Sequence, residues 1–175
     1  MLAGSLAAAG LLAAPTLARA SVSRLEVGNV TGLYAVEVAR IEAPRSTTEV
    51  AAAVKAWRGR IAVGGGRYSM GGQVAVKGGL HLDMRQMNGL VWLRPADRTV
   101  RVQAGMRWRD LQDLLDPQGL AVKIMQSYAN FTVGGSVSVN CHGRYVGLGP
   151  VGHSVRALQI VTADGSVIEA TPNAN

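Results

Sequence analysis

Three consecutive glycines, Gly64, Gly65 and Gly66, follow the apolar run Ile61-Ala62-Val63 and lead into Arg67, Tyr68, Ser69 and, a little later, Gln73. Glycine has no Cβ, so such a run turns sharply and can bring several backbone N–H groups towards one ligand. Successive N–H groups lining one concavity form a nest for an anion, commonly a phosphate. Ser69 adds a hydroxyl, and Gln73 an amide that both donates and accepts. The same residues also suit an ordinary glycine turn between two strands. The pattern is neither a Walker A loop, which needs Gly-Lys-Ser/Thr, nor a G-x-G-x-x-G opening a helix. A phosphate bound here is bound in another fold.

A second small-residue stretch runs from Asn130 to Gly143, with Gly134 and Gly135 inside it and polar side chains at Thr132, Ser136, Ser138 and Asn140. It either lets backbone approach a flat ligand closely, with hydroxyls for phosphate oxygens, or forms a tightly packed strand–turn–helix with no ligand. His81 and His153 read as structural, and Cys141 as an inert packed thiol. A single cysteine leaves no intrachain disulfide to form and no zinc cluster to expect, so no metal site is assigned.

The elements that must position these stretches are partly legible. Residues 21–44 alternate apolar and polar positions and read as an extended lead-in with one or two short strands. Ser46 and Glu49 form a capping box, and Val50, Ala53, Val54 and Trp57 follow at helical spacing, which predicts a helix over 47–58 with Trp57 in the core. Strands are expected at Arg60–Val63, Gly78–Met84, Val91–Leu93 and Thr99–Ala104, with turn chemistry at Pro95–Arg98. A helix over Trp108–Asp116 ends at Pro117 and Gly119, and Leu120–Ile124 is apolar enough for a strand. Asp164-Gly165 between two alternating apolar runs, 155–162 and 166–170, predicts a hairpin.

With 175 residues, nearly half of them apolar, and 22 glycines, the chain is long enough for one folded, loop-rich domain. Its net charge of +7 is scattered without a block. That reads as a solvated surface rather than a nucleic-acid face, and as a field suited to an anionic ligand such as a dinucleotide. Leu2–Leu17 is apolar and uncharged, and Ala18-Arg19-Ala20 follows as a cleavage site. This predicts a signal peptide over residues 1–20 whose basic region is missing, too short to span a bilayer. Export to the periplasm or medium is expected, with a lead-in over 21–40.

In order and spacing, these segments resemble the FAD-binding domain of the vanillyl-alcohol oxidase / p-cresol methylhydroxylase (PCMH-type) superfamily, nearest its aldonolactone and alditol oxidase branch. The resemblance covers roughly residues 40–172. It rests on Ala43-Pro44-Arg45-Ser46 with Glu49-Val50, Gly64–Ser69 with Gln73, Leu82-Asp83-Met84 with Met87-Asn88, and Val102–Gly105. It continues through Thr132-Val133-Gly134-Gly135 with Asn140 and His142-Gly143, and Val161–Gly165. It implies an α+β, two-lobed PCMH-type FAD-binding domain over 41–175, with lobes of about 41–95 and 99–175, incomplete at the C-terminus and without a substrate domain.

The resemblance further implies phosphate contacts from the backbone of Gly64, Gly65, Gly66 and Arg67, with Tyr68 next to them in the cofactor site, and polar contacts from Ser69, Gln73, Thr132 and Ser138. Gly134 and Gly135 would border the flavin, His142 either approaches it or is a hydrogen-bonded structural imidazole, and Ser127 stands where some relatives carry an aspartate on the cofactor. Tyr68 occupies the place of a histidine that many relatives bond covalently to the flavin, so FAD is expected to bind non-covalently. No catalytic residue is assigned, because the substrate-side acid and base would lie in the absent domain. The implied activity is oxidation of a CH–OH group of a sugar, polyol or lactone, with electrons passed to oxygen or another acceptor. The rival readings are an exported protein that keeps the fold and binds without catalysis, and a secreted β-rich structural domain whose glycines are only turns.

Overall fold

The computed structural model describes residues 24–174, so the predicted signal peptide lies outside the described residues. The lead-in forms a short antiparallel hairpin, β1 (Glu26–Gly28) and β2 (Ala35–Glu37). Next come β3 (Arg40–Glu42), the helix α1 (Thr47–Ala56) and β4 (Ile61–Gly64), with β5 (Leu80–Asp83) inserted between β3 and β4 as the middle of a parallel sheet. All four residues of β5 are buried, as the central strand of a covered parallel sheet requires.

Helix α1 starts where the capping box places it. Ser46 Oγ accepts from the Glu49 N–H at 3.2 Å, while the Glu49 carboxylate reaches back to the Arg45 N–H at 2.8 Å, one residue earlier than the ideal box. Val50 on α1 packs with Leu80, Leu82 and Met87, and Trp57 closes the edge of this cluster, its indole N–H donating to Arg60 O.

The second half is built on α2 (Trp108–Leu115) and α3 (Val133–Ser138). Met106, Trp108, Leu111, Leu115, Ile124, Cys141 and Val151 form its core. Ahead of it, β6 (Leu90–Arg94) and β7 (Thr99–Val102) pair antiparallel across the Pro95–Arg98 turn. Gln103 ties this hairpin back to the first half, accepting from Gly89 N–H and donating to Arg45 O. The Asp-Gly hairpin appears as β8 (Leu158–Val161) and β9 (Val167–Ala170), with Gly165 at φ +81°. Hydrogen bonds from Thr162 and Ser166 draw the Asp164 carboxyl in this turn down to about 2. Val161 packs on the α1 cluster, so this hairpin docks on the first half.

One expected strand is absent. Leu120–Ile124 is irregular, because the Gln112 side chain supplies what a neighbouring strand would have supplied. Its amide donates to Leu120 O and its carbonyl accepts from Val122 N–H. The apolar run serves instead to bury Ile124 completely in the core. Helix α2 gives way at Asp116–Gln118 to a 3-10 turn closed by Gly119 at φ +65°, the expected stop.

Candidate functional site

β4 delivers the glycine loop. Gly64 pairs opposite Asp83 and is buried, and a Cβ there would stand 2.5 Å from His81 Cε1. The ring of His81, on β5 and fully buried, therefore dictates the first glycine. His81 Nδ1 lies 2.8 Å from Val74 O and must donate to it, leaving Nε2 to accept from Arg67 Nη2 at 3.3 Å. Burial, and after it the charge of Arg67, holds the His81 imidazole below its ordinary pKa, so it is neutral at pH 7.

Arg67 occupies the left-handed region at φ +61°. Its guanidinium turns in beneath the loop, donating to Asp83 Oδ2 at 2.9 Å, while Arg85 grips the same carboxylate through Nε and Nη2 at 2.8 and 2.6 Å. Burial opposes the charge on Asp83, but the Arg85 hydrogen bonds and the Arg67 charge outweigh it and hold the carboxyl below the ordinary range. The charge of Arg67 is thus committed to the loop's foundation.

What the loop retains for a ligand is backbone. Among the described residues, the N–H groups of Gly65, Gly66, Arg67, Tyr68 and Ser69 find no acceptor, although all five residues are half-buried. Successive N–H groups without a protein acceptor are met by water or can line a nest for an anion.

The two glycine-rich stretches meet here. A Cβ on Gly65 would overlap Thr132 Oγ1, and one on Gly66 would stand 2.8 Å from the Tyr68 ring and 3.7 Å from Asn130 O. Thr132 is buried and caps α3, its hydroxyl accepting from Gly135 N–H at 3.3 Å. Gly134 is a packing glycine: its N–H donates to Ala104 O, and a Cβ would come within 2.7 Å of Ala104 Cβ. Ser138 is exposed and its hydroxyl donates to Gly134 O within the helix at 2.8 Å. Ser127, Gln73 and His142 are exposed, and Ser69 is half-buried. No hydrogen bond among the described residues joins these four to the Gly65–Thr132 junction.

Several neighbours of the loop escape a reading of sequence alone. Tyr68, Tyr128 and Phe131 pack edge to face, with centroids 4.9 to 5.4 Å apart. A hydrogen bond with Tyr128 raises the Tyr68 phenol, while Asn130, and after it Tyr68, lowers that of Tyr128. A cleft of ≈ 360 Å³ is lined by Gly66, Arg67 and Tyr68 together with Gly28, Asn29 and Val30 of the lead-in. The only available signal for that wall was the turn composition of Gly28-Asn29 and Thr31-Gly32. Cys141 is buried, and burial pushes its thiol up. No cluster of metal-ligating side chains occurs among the described residues. No helix among them is long and apolar enough to cross a membrane.

Residues 38–171 match the FAD binding domain family. The chain belongs to this family. Its relatives are PCMH-type FAD-dependent oxidoreductases. Alditol oxidase from Streptomyces sp. is 41% identical over 43% of the chain and 18% of its own length. L-gulonolactone oxidase from Mus musculus is 30% identical over 73% of the chain and 29% of its own length. D-2-hydroxyglutarate dehydrogenase from Xanthomonas citri pv. viticola is 32% identical over 74% of the chain and 29% of its own length. The chain spans less than a third of each.

FAD is the cofactor of the FAD-binding domain. The residues present fit its diphosphate. The unpaired N–H groups of Gly65–Ser69 supply donors, and no Cβ intrudes where Gly65 meets Thr132.

Proposed function

We propose that this chain is the FAD-binding portion of an exported flavin-dependent oxidoreductase that oxidises a CH–OH group of a sugar, polyol or lactone. The observation that carries the reading is the run of acceptor-free N–H groups at Gly65–Ser69, set against Thr132 in a chain of the FAD-binding family. Names such as alditol oxidase and L-gulonolactone oxidase support the substrate class. Bound FAD would supply the redox chemistry of oxidising a CH–OH group, with oxygen or another molecule as the final electron acceptor.

The chain's own residues bind and orient. Backbone N–H groups from Gly65 to Ser69 hold the diphosphate without a lysine, and Gln73, Ser127 and Ser138 add polar contacts around it. Thr132, Gly134, Gly135 and His142 border the flavin. Arg67 acts through its backbone, its side chain pinning the loop to Asp83 and His81. Tyr68 presents a phenol where a linking imidazole would be needed, so FAD is held non-covalently. The substrate-side acid and base belong to the further length that the relatives possess. The apolar run Leu2–Leu17 with Ala18-Arg19-Ala20 supports export.

A visible spectrum taken before and after acid precipitation tests the cofactor reading. Yellow protein whose flavin passes into the supernatant supports it. Flavin left in the pellet overturns non-covalent attachment, and protein that takes up no added FAD overturns the reading altogether. For the substrate class, the full-length enzyme should lose its flavin absorbance anaerobically with an alditol, sugar or aldonolactone. Bleaching by 2-hydroxy acids alone would contradict it.

A further inference from the structure

Among the described residues, the hydrogen bonds from the lead-in hairpin to the glycine loop go to two carbonyls and to no N–H. Val30 N–H donates to Arg67 O at 3.0 Å, and the Tyr34 hydroxyl donates to Met70 O at 3.3 Å. A trans peptide points its C=O and the following N–H in opposite directions. Fixing the Arg67 carbonyl towards Val30 therefore fixes the Tyr68 N–H away from the hairpin. Fixing the Met70 carbonyl towards Tyr34 does the same for Gly71 N–H.

The hairpin is itself built to hold still. Asn29 Oδ1 accepts from both the N–H and the hydroxyl of Thr31, and Gly32 N–H donates to Asn29 O. Val27, Val38 and Val74 form a buried cluster with Val36, Ile41 and Ala75 around it. The hairpin is thereby anchored to the chain immediately beyond the loop. Tyr34 packs over Gly72, at φ +79°, where a Cβ would come within 2.8 Å of the phenol oxygen.

We propose that the turn Asn29–Tyr34 is a strap that orients the donor N–H groups of the glycine loop, with Tyr34 as a positioning residue for FAD affinity. The segment precedes the stretch, residues 38–171, that matches the family. The proposal rests on the reading that this loop holds the FAD diphosphate. A donor array oriented before binding needs less ordering when the anion arrives, so affinity rises without any contact between Tyr34 and the ligand.

Tyr34→Phe removes one oxygen and keeps the packed ring. Losing one net hydrogen bond corresponds to roughly a fivefold effect. The expected result is an FAD Kd about fivefold higher, with inorganic pyrophosphate weakened as a competitor by a similar factor while the folded protein keeps its far-UV circular dichroism. Tyr34→Ala should do the same more strongly, and Gly65→Asp should abolish binding by placing a carboxylate in the nest. Unaltered Kd for both FAD and pyrophosphate in Tyr34→Phe, alongside loss of binding in Gly65→Asp, would overturn the strap and leave the loop assignment standing. Unchanged FAD affinity in Gly65→Asp would overturn the loop assignment and the strap with it.

Discussion

Gly64, Gly65 and Gly66 stand side by side for three different reasons: the His81 ring, the Thr132 hydroxyl and the Tyr68 ring. Gly64→Ala should cost about 2 kcal/mol in urea unfolding, because the new methyl overpacks a buried imidazole. In a His81→Ala background the same substitution should cost clearly less. Equal costs in both backgrounds would show that the ring is not what Gly64 avoids. The foundation beneath the loop also sets a pH response. His81 is depressed in the folded protein, so the unfolded chain takes up its proton first, and stability falls as pH drops below the ordinary value of 6.5. Asp83 is likewise depressed, and its contribution is lost as pH falls further, below the ordinary 3.8. Unfolding curves from pH 7 to 3 should show both losses. His81→Gln should remove the upper one alone, and Asp83→Asn should remove the lower one. Asp83→Asn should also cost about 3 kcal/mol at pH 7 by leaving the mostly buried Arg67 guanidinium short of its counter-charge.

At the scale of elements, α2 and α3 are interlocked by a polar contact inside an apolar core. Trp108 Nε1 donates to Ser136 Oγ at 2.8 Å, and Ser136 donates onward to Gln126 at 2.7 Å, with Ser136 only 1% exposed. Ser136→Ala should therefore cost about 2 kcal/mol, since the indole N–H is left buried without an acceptor. Chemical denaturation checks this, and a loss well under 1 kcal/mol would mean the indole finds another partner. The sequence announced α1, α2 and the β8–β9 hairpin because each depends on local chemistry: a capping box, a Gly119 stop and an Asp-Gly turn. The irregular run Leu120–Ile124 was not legible, because its hydrogen bonds come from Gln112 across a turn. Within the site, the glycines and Thr132 could be read from composition and order. The inward course of the Arg67 side chain, the aromatic trio and the lead-in wall could not, since each depends on residues far apart in the chain.

Across the whole molecule, three apolar clusters converge on the glycine loop. The α1–β5 cluster supports β4, the lead-in cluster holds Val74 just past the loop, and the α2–α3 core presents Thr132 to Gly65. A loop fixed from three sides is preorganised, which is what a site made of backbone donors needs. On the proposed function, these donors receive the FAD diphosphate. A protein of 18.3 kDa suits a direct test, titration of ¹⁵N-labelled chain with FAD followed by amide spectra. Signals of Gly65, Gly66, Arg67, Tyr68 and Ser69 should move most and saturate together, and inorganic pyrophosphate should shift the same amides. FAD that binds while these five amides stay in place would contradict the account.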